Sequence, residues 1–212
     1  MPGFLYASNP PMATPPLELV VFDKDGTLLD FLKTWLPAFS EAASMVAAEC
    51  GEPGLAPALL KVGGWVDGAD GPYIAHDGIL LHGTLRDACQ AWIDTQPIVA
   101  SHYERDAARM EEFLDKALLD CTVRDASPLG NVEPTLRTLR DAGVQLAIVT
   151  NDQEATARAQ LSKLGWTELF TTVIGCDSGH GAKPGPGGVR AAIEAAGVPA
   201  ERAIMVGDAE AD

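Results

Sequence analysis

The segment VVFDKDGTLLD (residues 20–30) sets two carboxylates, Asp23 and Asp25, directly behind the apolar run Leu19, Val20, Val21 and Phe22. Carboxylates rarely end a buried strand unless something pairs with them. Suitable partners stand far along the chain: Thr150, Asn151 and Asp152 in IVTND, Lys183 in GAKPGP, and Asp208 in VGDAEAD. Asp23, Asp25 and Asp208 brought together would repel one another and raise each other's pKa. A hard divalent cation resolves that repulsion, and Mg2+ favours a few carboxylates plus water and substrate phosphate oxygens. Formal charge agrees: with Lys183 the three carboxylates leave −2, which rejects a phosphate, and Mg2+ brings the sum to zero. Activity is therefore expected to be lost on chelation with EDTA.

These residues meet only if the elements that carry them converge. Leu17 to Phe22 is a continuous apolar run with β-branched members, which suits a strand buried on both faces. From Phe31 the spacing changes to that of a helix, with Leu32, Trp35, Leu36, Phe39, Ala43 and Val46 on one face and a stop at Gly51. Residues 61–83 are rich in Gly and Asp and read as a loop with a short hairpin. Thr84 with Asp87 resembles an N-cap for a helix through Leu85, Ala88, Cys89, Trp92 and Ile93. A further helix is expected through Tyr103, Ala107, Met110, Leu114 and Ala117.

The chain then alternates. Helices are expected over 131–142, 152–164 and 187–196, and strands over 144–149, 171–175 and 203–206. Repeated βα units of this length imply a parallel sheet covered on both faces, whose ligands gather at the carboxyl ends of the strands. Asp23, Thr150, Asp177 with the nearby Lys183, and Asp208 all fall at or just after such ends. The expected organisation is a tail over 1–16, a core built from 17–30 and 126–212, and a helical insertion over 31–125.

Composition narrows the class. The 212 residues are 47% apolar and 21% charged, with 30 Asp and Glu against 15 Lys and Arg, a net charge of −15. That is a globular balance, and its sign argues against nucleic acid or an anionic membrane as partner. Cys50, Cys89, Cys121 and Cys176 are widely spaced with no zinc pattern, which suits reduced thiols in a cytoplasmic protein. The start, MPGFLYASNPPMATPP, lacks a basic region and a long apolar core, so it reads as a disordered tail and not a signal or anchor. No apolar run nears the roughly 20 residues of a membrane helix, and the expectation is a soluble chain.

FDKDGTLLD resembles the first signature, DxDGT, of the haloacid dehalogenase-like (HAD) superfamily. IVTND resembles its second, the GAKPGP lysine its third, and VGDAEAD its fourth, GDxxxD. The resemblance implies an α/β fold, a Rossmann-like parallel sheet with an α-helical cap of the C1 type inserted after the first strand, nearest to phosphoglycolate-phosphatase-like members. It implies Asp23 as a nucleophile forming an aspartyl-phosphate, a role that suits an already ionised carboxylate. Asp25 becomes general acid and then general base. Mg2+ is implied on Asp23, the backbone carbonyl of Asp25 and Asp208, with Asp212 reached through water. Thr150 and the amide of Asn151 would hold phosphoryl oxygens while Lys183 offsets their charge, and Gly26 and Thr27 would let the chain turn beneath the site.

The dehalogenase branch lacks a carboxylate at the place of Asp25, and the P-type ATPase signature has Thr there, so the expected substrate is a small phosphorylated metabolite. A phosphomutase using the same nucleophile is the enzymatic rival, and a truncated, catalytically impaired ligand-binding member is the other. The latter is motivated by the stop at Asp212, where family members usually continue through another strand and helix. The expectation is then an exposed sheet edge, weak Mg2+ affinity and low turnover, or a partner covering that edge. Asp30 and Asp152 are expected to cap helices. Lys24 is expected to point away from Asp23 and Asp25, by strand alternation. His76, His82, His102 and His180 show no ligand spacing, and Trp65, Asp67 and Tyr73 are candidate substrate contacts in the insertion.

Overall fold

The computed structural model describes residues 16–210 and 212, so the tail expected over 1–16 lies outside the described residues except for Pro16. The first strand, β1 (Leu19–Phe22), is buried along its whole length. It runs parallel to β4 (Gln145–Val149) on one side and to β6 (Ala203–Val206) on the other, and β5 (Thr172–Ile174) lies beyond β4. The sheet order is β5-β4-β1-β6.

Alternation along β1 divides the core in two. Val20 and Phe22 join Leu146 and Ile148 under α7 (Val132–Asp141) and α8 (Glu154–Lys163), where Leu136, Ala157 and Leu161 complete one cluster. Leu19 and Val21 face the other way, against α9 (Gly187–Ala196) through Ala192 and Val189. A strand apolar on both faces is what two helical layers require. Phe22 is level with Ile148 and with Val206, which aligns the ends of three strands. β6 forms one edge, with Ile204 and Val206 exposed.

Between β1 and α7 the chain is mostly helical. The helix α1 (Phe31–Glu49) packs on α6 (Ala107–Asp125), with α2 (Ala56–Val62), α4 (Leu85–Thr95) and α5 (Pro97–His102) around a separate cluster of Val46, Leu59, Trp92, Met110 and Leu114. The Gly- and Asp-rich stretch forms the short hairpin β2 (Trp65–Gly68) and β3 (Gly71–Ile74), followed by one turn, α3 (Ile79–His82). Thr84 and Asp87 form a reciprocal capping box at α4, and Asp30 accepts from the Lys33 amide at the start of α1.

Two expectations are corrected here. The helix read from Tyr103 begins instead at Ala107, because Glu104 and Arg105 adopt left-handed backbone and Asp106 supplies the cap. Asp152 does not cap α8. The Glu154 amide is served by the Asp177 carboxylate at 2.8 Å, and Asp152 turns inward. Among the described residues, no helix is long and apolar enough to cross a membrane.

Candidate active site

The four strand ends converge as their register requires. Asp23 follows β1 and its amide donates to the Val206 carbonyl, while the Thr150 amide donates to Ile174, so both residues are fixed by the sheet ladder. Lys183, from the loop before α9, donates to Asp23 Oδ1 at 2.6 Å and also to Asp212 Oδ1. Carboxylate oxygens of Asp23, Asp208 and Asp212 all lie within 4.8 Å of one another. Asp208 rests on the turn: Thr27 Oγ1 donates to it at 3.2 Å, and Gly26, at φ +86°, has no side chain to obstruct it. Asp212 is tied back by the Ala209 amide at 2.9 Å.

Asn151 braces the lysine loop. Its Oδ1 accepts from the Lys183 amide at 2.7 Å, and its Nδ2 donates to the carbonyls of Lys183 and His82. Thr150 is buried, with its hydroxyl accepting from the Asp152 amide. Burial pushes the Asp23 carboxyl from its ordinary 3.8 up to about 6, against the pull of the adjacent Lys183.

Asp25 stands apart from the carboxylate cluster. The Trp35 indole donates to its Oδ1 at 2.8 Å, and the Lys24 ammonium meets its Oδ2 at 2.5 Å. The expectation that Lys24 points away from Asp25, as a structural or solvent-facing residue, is corrected on direction: the two side chains meet, and Lys24 is fully buried, which leaves the structural alternative. Lys24 in fact keeps the face of Val20 and Phe22, toward Gln160 on α8, and it is Asp25, past the end of β1, whose carboxylate meets it there. Inside, Lys24 also pairs with Asp152 at 3.0 Å and donates to Gln160 at 2.6 Å. Burial alone would lower the Lys24 pKa, but Asp25 and Asp152 outweigh it and raise it. Burial pushes the Asp152 carboxyl up to about 6.

A cleft of about 120 Å3 opens over these groups. Its far wall is built from the helical insertion, and three polar contacts hold that wall down on the sheet: Trp35 to Asp25, Asn151 to His82, and Gln153 to Asp115 at 2.9 Å. Trp65, Asp67 and Tyr73 do not line the cleft; the Trp65 indole donates to Asp67 within the hairpin. Sequence reasoning missed Trp35 and Lys24 as site neighbours. The signal for Trp35 was the polar N–H of an indole on an otherwise apolar helix face.

A family model described as haloacid dehalogenase-like hydrolase matches residues 17–212. The chain belongs to this family. Among curated relatives, the phosphoglycolate phosphatase of Pseudomonas savastanoi pv. phaseolicola is 29% identical over 199 residues, covering 92% of this chain. The chain spans 64% of that relative's length. The phosphoglycolate phosphatase of Rhodospirillum rubrum is 31% identical over 197 residues, covering 92% of this chain and 73% of the relative. A solved HAD phosphatase from Thermococcus onnurineus superposes with a TM-score of 0.63 at 23% identity, covering 92% of this chain and 79% of that one. It shares the α/β fold with the parallel sheet.

Proposed function

We propose that the chain hydrolyses a small phosphomonoester through an aspartyl-phosphate on Asp23. The observation that carries this reading is Lys183 at 2.6 Å from Asp23, beside the Asp208 and Asp212 carboxylates, at the carboxyl ends of parallel strands. In the first half-reaction an Asp23 oxygen attacks phosphorus and the ester P–O bond breaks. Asp25 delivers its proton to the departing alkoxide. In the second, Asp25 takes a proton from water, which attacks the same phosphorus and returns Asp23 as a carboxylate. Such proton transfer is worth roughly 10²–10⁴ in rate. Trp35 and Lys24 each hold one Asp25 oxygen, so the proton carrier has one orientation.

The donor set fits Mg2+. Asp23, Asp208 and Asp212 offer hard oxygens within 4.8 Å, and Lys183 alone leaves them at a formal −2. Asp23, Asp208 and the Asp25 carbonyl would hold the ion, with Asp212 acting through water. When bound, the ion supplies positive charge opposite the phosphoryl oxygens. Lys183 adds its own charge there, and in this reading Thr150 and the Asn151 amide orient the phosphoryl group. We read the helical insertion over 31–125 as a cap that excludes water from the cleft.

The small cleft, well below the roughly 300–1,000 Å3 of drug-sized ligand sites, favours a compact substrate. The test is phosphate release from a panel that includes phosphoglycolate, sugar phosphates and nucleotides, with and without EDTA. Asp23→Asn should fall to background with its fold intact. Hydrolysis by that variant at the wild-type rate would overturn the mechanism.

A further inference from the structure

We infer that the leaving-group side of the cleft selects an uncharged, apolar alcohol and disfavours one carrying a carboxylate. The inference rests on the phosphatase reading only in placing the phosphoryl group at Asp23. The part of the cleft lining that the insertion supplies includes Phe31, Trp35, Phe39, Leu80, Leu85 and Leu118, with the carboxylates Glu111 and Asp115 forming an acidic rim. Several of these belong to a continuous apolar cluster with Ala88 and Ile74, so the wall is the exposed side of a packed core.

A carboxylate on the substrate's alcohol would need a cation or free donors here, and each source is spent. Among the described residues lining the cleft, Lys183 is the only lysine or arginine, and it is held by Asp23 and Asp212. Arg86, next to the lining residue Leu85, does not itself line the cleft and is paired with Glu111, with Nε at 2.5 Å. The N-terminus of α4 could attract an anion, but it already carries the Asp87 carboxylate in its capping box. His82 directs Nε2 at the His76 carbonyl, 2.7 Å away. Asp115 also lines the cleft and, among the described residues, accepts a side-chain hydrogen bond from the Gln153 amide alone. A substrate carboxylate would therefore lose its water against hydrocarbon and face a like charge, which is penalised on both counts.

The test compares two non-hydrolysable ligands of equal shape, 3-methylbutylphosphonate and 3-phosphonopropionate, by calorimetry on the intact chain with Mg2+. The apolar ligand should bind at least ~10-fold more tightly, about 1.4 kcal/mol. Asp115→Asn should narrow that ratio, and Leu85→Arg, which sets a cation in the wall, should reverse it. Equal or tighter binding of the carboxylate by the wild type, or binding of neither ligand, overturns the inference. So does tighter binding of 2-aminoethylphosphonate than of propylphosphonate, because the acidic rim would then be the selector. Phosphate release from p-nitrophenyl phosphate is measured separately: its absence with the binding order intact defeats the phosphatase reading alone.

Discussion

Lys24→Met removes the charge at the centre of the buried network beneath the site. The ammonium carries three protons and has three acceptors around it: Asp25 at 2.5 Å, Asp152 at 3.0 Å and Gln160 at 2.6 Å. Lys24 is 0% exposed, so no water replaces it in the variant. Asp152 Oδ2 has no aligned hydrogen-bond donor and rests on the ion pair with Lys24, while Oδ1 accepts from the Gln153 amide at 2.8 Å. Breaking a buried pair by deleting one member costs roughly 3–5 kcal/mol. Met restores most of the lost packing, so we expect a loss of about 4 kcal/mol, a large part of the ~5–15 kcal/mol of an ordinary domain. The assay is equilibrium urea unfolding of the metal-free chain at pH 7.5, scored by midpoint at constant slope. Adding Asp152→Asn should restore stability through a coupling above ~1 kcal/mol, since one stranded charge is gone. A single-variant loss under ~1 kcal/mol, or strict additivity of the pair, would refute the account of Lys24 as a charge clamp.

Gly26→Ala places a Cβ 2.2 Å from Asp208 Oδ2 on backbone at φ +86°. Mg2+ affinity should fall at least ~10-fold, about 1.4 kcal/mol, when titrated by calorimetry, and an unchanged affinity would remove Asp208 from the proposed ion site. Asp23, raised by burial to about 6, stays protonated in the folded metal-free chain where the unfolded chain has released its proton. Its stabilising contribution is full below pH ~3.9 and is lost as pH rises through about 6. The melting temperature of Asp23→Asn relative to wild type should thus climb between pH 4 and 7 in EDTA, and a gap independent of pH would contradict the burial effect.

The sheet and its rim were legible because period and punctuation are local properties. Strands such as β1 and β4 declare themselves by unbroken apolar runs, and parallel pairing then forces Asp23, Thr150 and Asp208 to one edge. What lay one residue beyond a strand was not legible. Lys24 keeps the face that Val20 and Phe22 take, but that this face offers it acceptors, Asp152 and, 136 residues away on α8, Gln160, is decided by tertiary packing. Asp152 looked like a cap because Asp precedes a helix; the stronger demand came from Lys24, and Asp177 took the cap instead. Trp35 sits on a helix face whose spacing is that of any core residue; its indole N–H announces the need for an acceptor, but only the tertiary contact identifies that acceptor as Asp25.

That bond has a bearing on recombination between relatives. The seam at which one would exchange the inserted helices, just after Asp30, runs upstream of Trp35, while the carboxylate it holds stays behind at Asp25. A chimaera with a foreign insertion would inherit Asp23 and Asp25 but not the donor that holds the Asp25 carboxylate. Swapped segments are therefore interchangeable here only when the incoming first helix brings a hydrogen-bond donor one turn in from its start.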